Sequence, residues 1–557
     1  MNFLDRIDRN LRLNPRKDAL VEIREGRFVS TSCSELLSQV GQVRSALRQS
    51  GVTSGKRCVL LASNSTRWVA ANLAIMAEGG IAVPLYARQA PSELVAMMKD
   101  CEPTLIITAD AQTREAIYSV WPEAPPTLTF EDIFDRPLDA DLPSPIQLSR
   151  ETPVTIIYTS GTSGEAKGVV LTASNVNFMI QRTTQRLQEL MSDVAKHGDD
   201  RVFHYLPFCF AGSWILLLTC LYRNNSVMLC VNLNKLAEDL KIAAPHYFLN
   251  VPALLDRIRN DVAKQLEKKG RLAFAIFRRG ERAWLRREGG QAGVWERVCE
   301  FVPRHLLFPR IKAAIGKNLR ALICGSAPLS EETQRFFHML GIPVLQVYGL
   351  TETTAICTMD EVRENVVGRV GPAIPGVELR LGDRDEILVR GANVFPGYWN
   401  RPAASAEILQ NGWLHTGDQG SVDERGNWKI TGRLKNLIIP NSGHNISPEP
   451  LEQQLLNLLP ETEQAVIIGN GRKFLSVIVT GDVPPERVAA ALDRLNQGLP
   501  HYQQIRKFHL SPQPFTVENG LLTVNRKMKR HAIEAHYLAQ IDALYEVARS
   551  EASYASP

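Results

Sequence analysis

The sequence predicts an α/β protein: a large part built on mostly parallel sheets, then a small α+β domain. Three observations carry this. Short β-type runs alternate with helical patterns from Cys58 to Tyr158, and the alternation resumes at SVMLCV (226–231) and LRALICG (319–325). After Gly432 the strands become shorter and polar helices separate them. At 557 residues the chain is also too long for one compact core, so two or more domains are expected.

Taken in order, CVLLA (58–62) reads as a strand and NSTRWVAANLAIMAEGG (64–80) as a helix capped by Ser65 or Thr66. IAVPLY (81–86), the helical SELVAMMKD (92–100) and TLIIT (104–108) continue the βαβ pattern. Val154, Ile156 and Ile157 form the next apolar run. Residues 261–320 are helix-rich and basic around RRGERAWLRR (278–287). Such a charge run is either a solvated face or a surface that rests on anionic lipid headgroups. AVIIG, FLSVIVTG and KFHLS are the strands of the small domain, and GRLKN (432–436) is the expected junction.

Apolar content of 44% and charged content of 22% are those of an ordinary globular enzyme. A net charge of +5 is too mild to indicate nucleic acid. Nine scattered cysteines without a CxxC pair argue against a zinc site or a disulfide framework and fit a reducing compartment. MNFLDRIDRNLRLNP lacks the apolar core of a secretory signal, and Arg223, Asn224 and Asn225 interrupt the most apolar stretch, 214–231. A cytoplasmic enzyme is expected, with peripheral membrane contact open.

The most informative segment is YTSGTSGEAKGVVLT (158–172). An apolar run ends in a loop of glycines and hydroxyls, one lysine follows, and a second β-branched run begins. Glycines at 161, 164 and 168 permit close approach of backbone to ligand. Thr159, Ser160, Thr162 and Ser163 offer hydroxyls, and Lys167 offers a compact charge, which together suit a polyphosphate. It is not a Walker A loop, because Gly168 follows Lys167 and the glycine spacing differs. Alone, the stretch would equally suit a flexible hairpin.

Four further segments place small, hydroxylated and charged residues where strands should end: GSAPL (325–329), VYGLTETT (347–354), GWLHTGDQG (412–420), with Asp418 in a glycine turn, and TGRLKN (431–436). Ligands of open α/β sheets sit at the carboxyl ends of strands, so these turns suggest one pocket. With all five in order, the chain resembles the adenylate-forming superfamily of acyl-CoA synthetases, peptide-synthetase adenylation domains and luciferases. GYWNRP (397–402) and LLTVNRKMKR (521–530) extend the resemblance over nearly the whole chain. Within the superfamily it looks most like long-chain fatty acyl-CoA synthetases, through NSGHNISPEPLEQ (441–453), the basic helical insert, and Tyr537 with IDALY (541–545).

The resemblance implies an N-terminal AMP-binding domain, 1–433, of parallel-sheet α/β subdomains plus a small β-barrel-like part. A mobile C-terminal domain, 434–557, would rotate about a hinge at Lys435. It implies ATP, Mg²⁺ and CoA as reactants and cofactor, and a fatty acid as substrate. Thr159, Ser160, Gly161, Thr162, Ser163, Gly164 and Lys167 match the phosphate loop. Glu352 matches the Mg²⁺ ligand and Thr351 an α-phosphate ligand. Gly325, Ser326, Ala327, Tyr348 and Gly349 match the adenine walls, and Asp418 and Arg433 the ribose readers. Lys527 matches the lysine that bridges carboxylate and α-phosphate, with Lys529 and Arg530 as neighbours. Gly443 and His444 fall on the thiol tunnel. Phe210 and Trp214 are either acyl-pocket walls or ordinary core aromatics.

Four positions depart from the family pattern: Ala166, Ala404, Asn436 and His444. None removes a catalytic group; Asn436 and His444 bear on the acceptor side. The leading reading is an AMP-forming long-chain fatty acid–CoA ligase. An acyl-AMP ligase that loads a carrier protein's phosphopantetheine is the alternative. A non-catalytic nucleotide-binding protein is disfavoured by Lys167, Glu352, Asp418, Arg433 and Lys527 together.

Overall fold

The computed structural model describes residues 2–137, 142–160, 166–192, 200–291, 293, 301, 303–523 and 527–552. Two sheets, with the helices that cover them, organise the first 360 residues. One has six strands in the spatial order Thr127–Thr129, Leu105–Thr108, Arg57–Leu61, Ile81–Leu85, Pro153–Ser160 and Ala166–Thr172. All are parallel except the last, which folds back on Pro153–Ser160 as a hairpin. These strands read as unbroken apolar runs because helices cover both faces. The intervening helices end where expected: Ser65 caps Thr66–Ala77 by accepting the Trp68 N–H.

The second sheet has eight strands: Thr358–Met359, Val344–Tyr348, Leu322–Cys324, Tyr247–Asn250, Val202–His204, Val227–Cys230, Asp18–Arg24 and Arg27–Ser32. Its six central strands are parallel and its two edges antiparallel. Local pattern does not reveal that Asp18–Arg24, near the start of the chain, pairs with Val227–Cys230. The basic stretch is helical, as expected, in Pro252–Lys268, Arg271–Glu288 and Phe308–Gly316.

A five-stranded antiparallel unit follows, formed by Val377–Leu381, Glu386–Gly391, Leu409–Gln410, Trp413–Val422 and Trp428–Arg433. Here the structure corrects one expectation. Asp418 lies not in a glycine turn but inside the ten-residue strand Trp413–Val422, where Gly417 adopts φ +70°. Register shifts on both sides of the strand absorb that bend.

The C-terminal domain has a mixed sheet of Ala465–Ile468, Leu475–Thr480 and Ile505–Ser511, packed by helices Pro448–Leu458, Pro485–Asn496, Arg530–His536 and Leu538–Ala552. Its apolar clusters, from Ile438 onward, share no member with those of the preceding residues. Among the described residues all eight cysteines are free and buried, and no helix is long and apolar enough to cross a membrane.

Candidate active site

The phosphate-loop hairpin places Thr159 opposite Lys167 and Ser160 opposite Ala166. Gly161, Thr162, Ser163 and Gly164 lie outside the described residues. The GYWNRP segment crosses this hairpin: the Trp399 N–H donates to the Gly168 carbonyl at 2.7 Å, and Tyr398 bridges Val169. Glycine fits at 168 because a Cβ there would lie 2.7 Å from Ile156 Cγ2 within the hairpin and 3.3 Å from Trp399 Cβ of the crossing segment. The crossing brings the Tyr398 ring to 5.1 Å from Lys167 Nζ, a cation–π distance. The Tyr398 hydroxyl donates to Glu352 Oε1 at 2.7 Å. Burial, then the Glu352 charge, raise the Tyr398 pKa well above the usual phenol range, so it stays a donor. The sequence reading gave Tyr398 no role, although it stands within a quoted motif.

Thr351 and Glu352 sit half-buried in the one-turn helix Thr351–Thr353 after strand Val344–Tyr348. The turn is fixed from several sides. The Thr353 hydroxyl accepts the Leu350 N–H at 2.8 Å, and the Thr354 hydroxyl donates to the Asn393 carbonyl at 2.7 Å. The wholly buried Asn393 donates to the carbonyls of Thr353 and Ile356. Thr354 and Ala355 are held at φ +53° and +88°, a strained region for residues with a Cβ. Gly349 admits this fold, because a Cβ would approach the Ala355 carbonyl oxygen to 2.3 Å. Gly325 follows strand Leu322–Cys324 and packs against Val347, while Ser326 and Ala327 are exposed.

The buried Tyr348 hydroxyl donates to Asp418 Oδ2 at 2.9 Å, and Arg433 Nε lies 2.9 Å from Asp418 Oδ1. Strand register places Asp418 directly opposite Arg433. Burial pushes the Asp418 pKa above the usual carboxylate range, against the pull of Arg433 and of the Tyr348 hydroxyl. Burial and the Asp418 charge likewise raise Tyr348 far above its ordinary value.

Lys527 lies within the electrostatic influence of this same cluster. Its side chain is accessible to solvent, yet surrounding protein and the Arg433 charge lower its pKa, against the opposing influence of Asp418 and Glu352. The lysine's turn is closed by the Lys527 N–H donating to Thr523 Oγ1 at 3.0 Å and the Thr523 N–H donating to the Lys527 carbonyl at 2.8 Å. Glu352, Asp418, Arg433 and Lys527 therefore share one electrostatic neighbourhood, assembled from segments far apart in sequence.

Other candidates lie elsewhere. Lys435 is exposed in the turn Leu434–Asn436, and Gly443 adopts φ +77° with no neighbour for a Cβ. His444 is exposed and stacks on Tyr502 at 4.0 Å, with Nδ1 at 3.2 Å from Ser442 Oγ. Trp214 is wholly buried in the main core and donates from Nε1 to Asn72 Oδ1 at 2.9 Å. Phe210 is half-buried and stacks on Tyr86 at 6.1 Å. Beside it, His204 stacks on Phe208 at 4.9 Å and is held neutral by burial, with its pKa at about 4.

Comparison with known proteins gives a consistent picture. Residues 7–399 match the AMP-binding enzyme family, and residues 435–549 match the AMP-binding enzyme C-terminal domain. The long-chain-fatty-acid–CoA ligase FadD15 of Mycobacterium bovis is 28% identical, with 94% of this chain and 93% of the relative aligned. The putative fatty-acid–CoA ligase fadD11 of Mycobacterium tuberculosis is 30% identical over 71% of this chain and 74% of its own length. Among solved structures, the o-succinylbenzoate CoA synthetase of Bacillus subtilis, in complex with its acyl-adenylate intermediate, superposes with a TM-score of 0.75 at 20% identity, covering 96% of this chain and 98% of that one. With both halves matched, the chain belongs to the AMP-binding enzyme family, the adenylate-forming enzymes.

Proposed function

We propose that this protein activates a long-chain fatty acid with ATP and transfers the acyl group to CoA. The observation that carries the reading is that the Arg433, Asp418 and Glu352 charges all act on Lys527, while Tyr398 links Glu352 to the Lys167 hairpin. Two lysines, from distant segments, and the Asp418 carboxylate suit the phosphates and ribose hydroxyls of a nucleoside triphosphate.

In the first step a carboxylate oxygen of the acid attacks the α-phosphorus of ATP. The bond from that phosphorus to the bridging oxygen breaks, and pyrophosphate leaves. Such a transfer needs positioning and charge neutralisation more than covalent help. Lys527 neutralises the approaching carboxylate and α-phosphate, Lys167 the departing phosphates, and Thr351 orients the α-phosphate. Asp418 accepts from the ribose hydroxyls, with Arg433 holding it in place. Glu352 would hold a Mg²⁺, a hard cation that prefers carboxylate oxygens, and its Oε1 is oriented by Tyr398. When bound, the ion supplies charge neutralisation at the phosphates.

In the second step the small domain, from residue 434, turns about Lys435, withdrawing Lys527 and presenting the Gly443 segment. The thiol sulfur attacks the acyl carbonyl, the bond to the AMP oxygen breaks, and the thiol proton passes to solvent. The helix Arg271–Glu288 and residues after it expose Leu272, Phe301 and Leu306 amid arginines, which supports contact with anionic lipid where such acids partition.

The test is product analysis with ATP, Mg²⁺ and mixed fatty acids, with and without CoA. Acyl-CoA and AMP formed only with CoA are expected. Acyl-adenylate that CoA fails to discharge would move the acceptor to a carrier protein.

A further inference from the structure

The residue after the hinge is linked to the Lys527 turn by side chains to which the two steps above assign nothing. Asn436 donates from Nδ2 to Glu449 Oε1 at 2.6 Å. Glu449 lies in the first turn of helix Pro448–Leu458, and Glu452 lies farther along that helix. Arg530 Nη2 is 4.0 Å from Glu449 Oε1 and 2.5 Å from Glu452 Oε2. The other Glu452 oxygen accepts the Ile467 N–H at 2.8 Å, which fixes the helix to strand Ala465–Ile468. The Arg530 and Glu452 side chains are only 12% and 5% exposed, so this is an interior ion pair.

Arg530 ends the run Lys527-Met528-Lys529-Arg530 and begins helix Arg530–His536. The Lys529 N–H donates to the Leu521 carbonyl at 2.9 Å, and Leu522 pairs with Met528, closing the base of the lysine's loop. Arg530 thus fixes the loop against helix Pro448–Leu458, and Asn436 fixes that helix against the hinge. Apolar side chains of equal volume would stabilise the interior as well as this ion pair does. What the pair adds is directional geometry between two segments that must move together. The uncharged Asn436 suits the site, since an aspartate there would be a third carboxylate beside Glu449 and Glu452.

We propose that Asn436, Glu449, Glu452 and Arg530 form a brace that transmits the setting of the hinge to Lys527. Arg530 is then a positioning residue for adenylation. The inference rests on the adenylation reading above.

Two half-reactions separate the possibilities: fatty-acid-dependent pyrophosphate–ATP exchange, which uses Lys527, and CoA transfer from supplied acyl-adenylate, which does not. R530M/E452Q replaces both members of the closest ion pair, while Glu449 keeps its hydrogen bond from Asn436. It is expected to lower exchange about a hundredfold while transfer stays within about twofold, the signature of a misplaced group in an intact fold. Asn436→Ala should lower exchange about threefold alone and add nothing to R530M/E452Q, as residues acting in one unit do. Unchanged exchange, a parallel loss of both half-reactions, or additive effects would each overturn the brace. Absence of exchange in the unaltered protein would remove the adenylation reading, and the brace with it.

Discussion

Two parts of the site are held in opposite ways. Asp418 and Arg433 face each other across adjacent strands, and Tyr348 approaches from a third. Their geometry comes with the sheets and is locked by burial. Lys527 stands on a short turn closed by two hydrogen bonds exchanged with Thr523, accessible to solvent and carried by a separate apolar core. In the proposed cycle, the groups that grip the nucleotide throughout are on strands, and the group used in one step is on an element outside those sheets.

Replacing the lysine is the strongest way to break this contrast. Lys527→Ala should lower adenylation about 10²–10³-fold, as loss of one transition-state donor does. ATP affinity, measured by equilibrium binding, should barely change; a loss of affinity comparable to the rate loss would mean Lys527 is part of the grip. Its lowered pKa adds a pH prediction. The ammonium is lost at lower pH than for an ordinary lysine, so adenylation should decline on the alkaline side before ordinary lysines titrate. A rate that holds flat through that range would exclude Lys527 as the charged group.

Asp418→Asn tests the other side. It should weaken ATP binding by about 1.5–3 kcal/mol, the worth of a hydrogen bond to a charged group, with a smaller effect on the rate of bound substrate. Because the Asp418 pKa is raised, acid should neutralise it sooner than an ordinary carboxylate. ATP affinity should therefore fall as pH drops into the weakly acidic range, and the Asn variant should show no such dependence. Isothermal titration across pH decides this.

The smallest effect is expected at the junction between the two parts. Tyr398→Phe removes one hydrogen bond to Glu352 and should cost about 0.5–1.5 kcal/mol in adenylation, appearing mainly as a higher Mg²⁺ requirement. If Mg²⁺ titration curves of variant and parent overlay, Tyr398 does not orient the carboxylate.

Much was legible in the sequence because it is written locally. Alternating apolar runs and caps such as Ser65 predict strands and helices from neighbouring residues alone. Glu352 and Arg433 fall at strand ends as their motifs suggest, whereas Asp418 lies within a strand, so the chemical groups could be named before their arrangement was known. Tyr398 was passed over because nothing in GYWNRP says that the segment will cross the 153–172 hairpin. Trp214 could be read either as pocket wall or as core; its bond to Asn72 is made by a residue 142 positions away.

The sequence by itself determined the α/β architecture and the family, and it named the candidate phosphate-, ribose- and carboxylate-binding groups. Only the tertiary structure decided that Asp418 stands opposite Arg433 within a strand, that Tyr398 links Lys167 to Glu352, and that Arg530 pairs with Glu452 on the helix that Asn436 also contacts. The reason is physical. Periodicity and turn chemistry depend on adjacent side chains, whereas register and burial depend on which distant faces exclude water together.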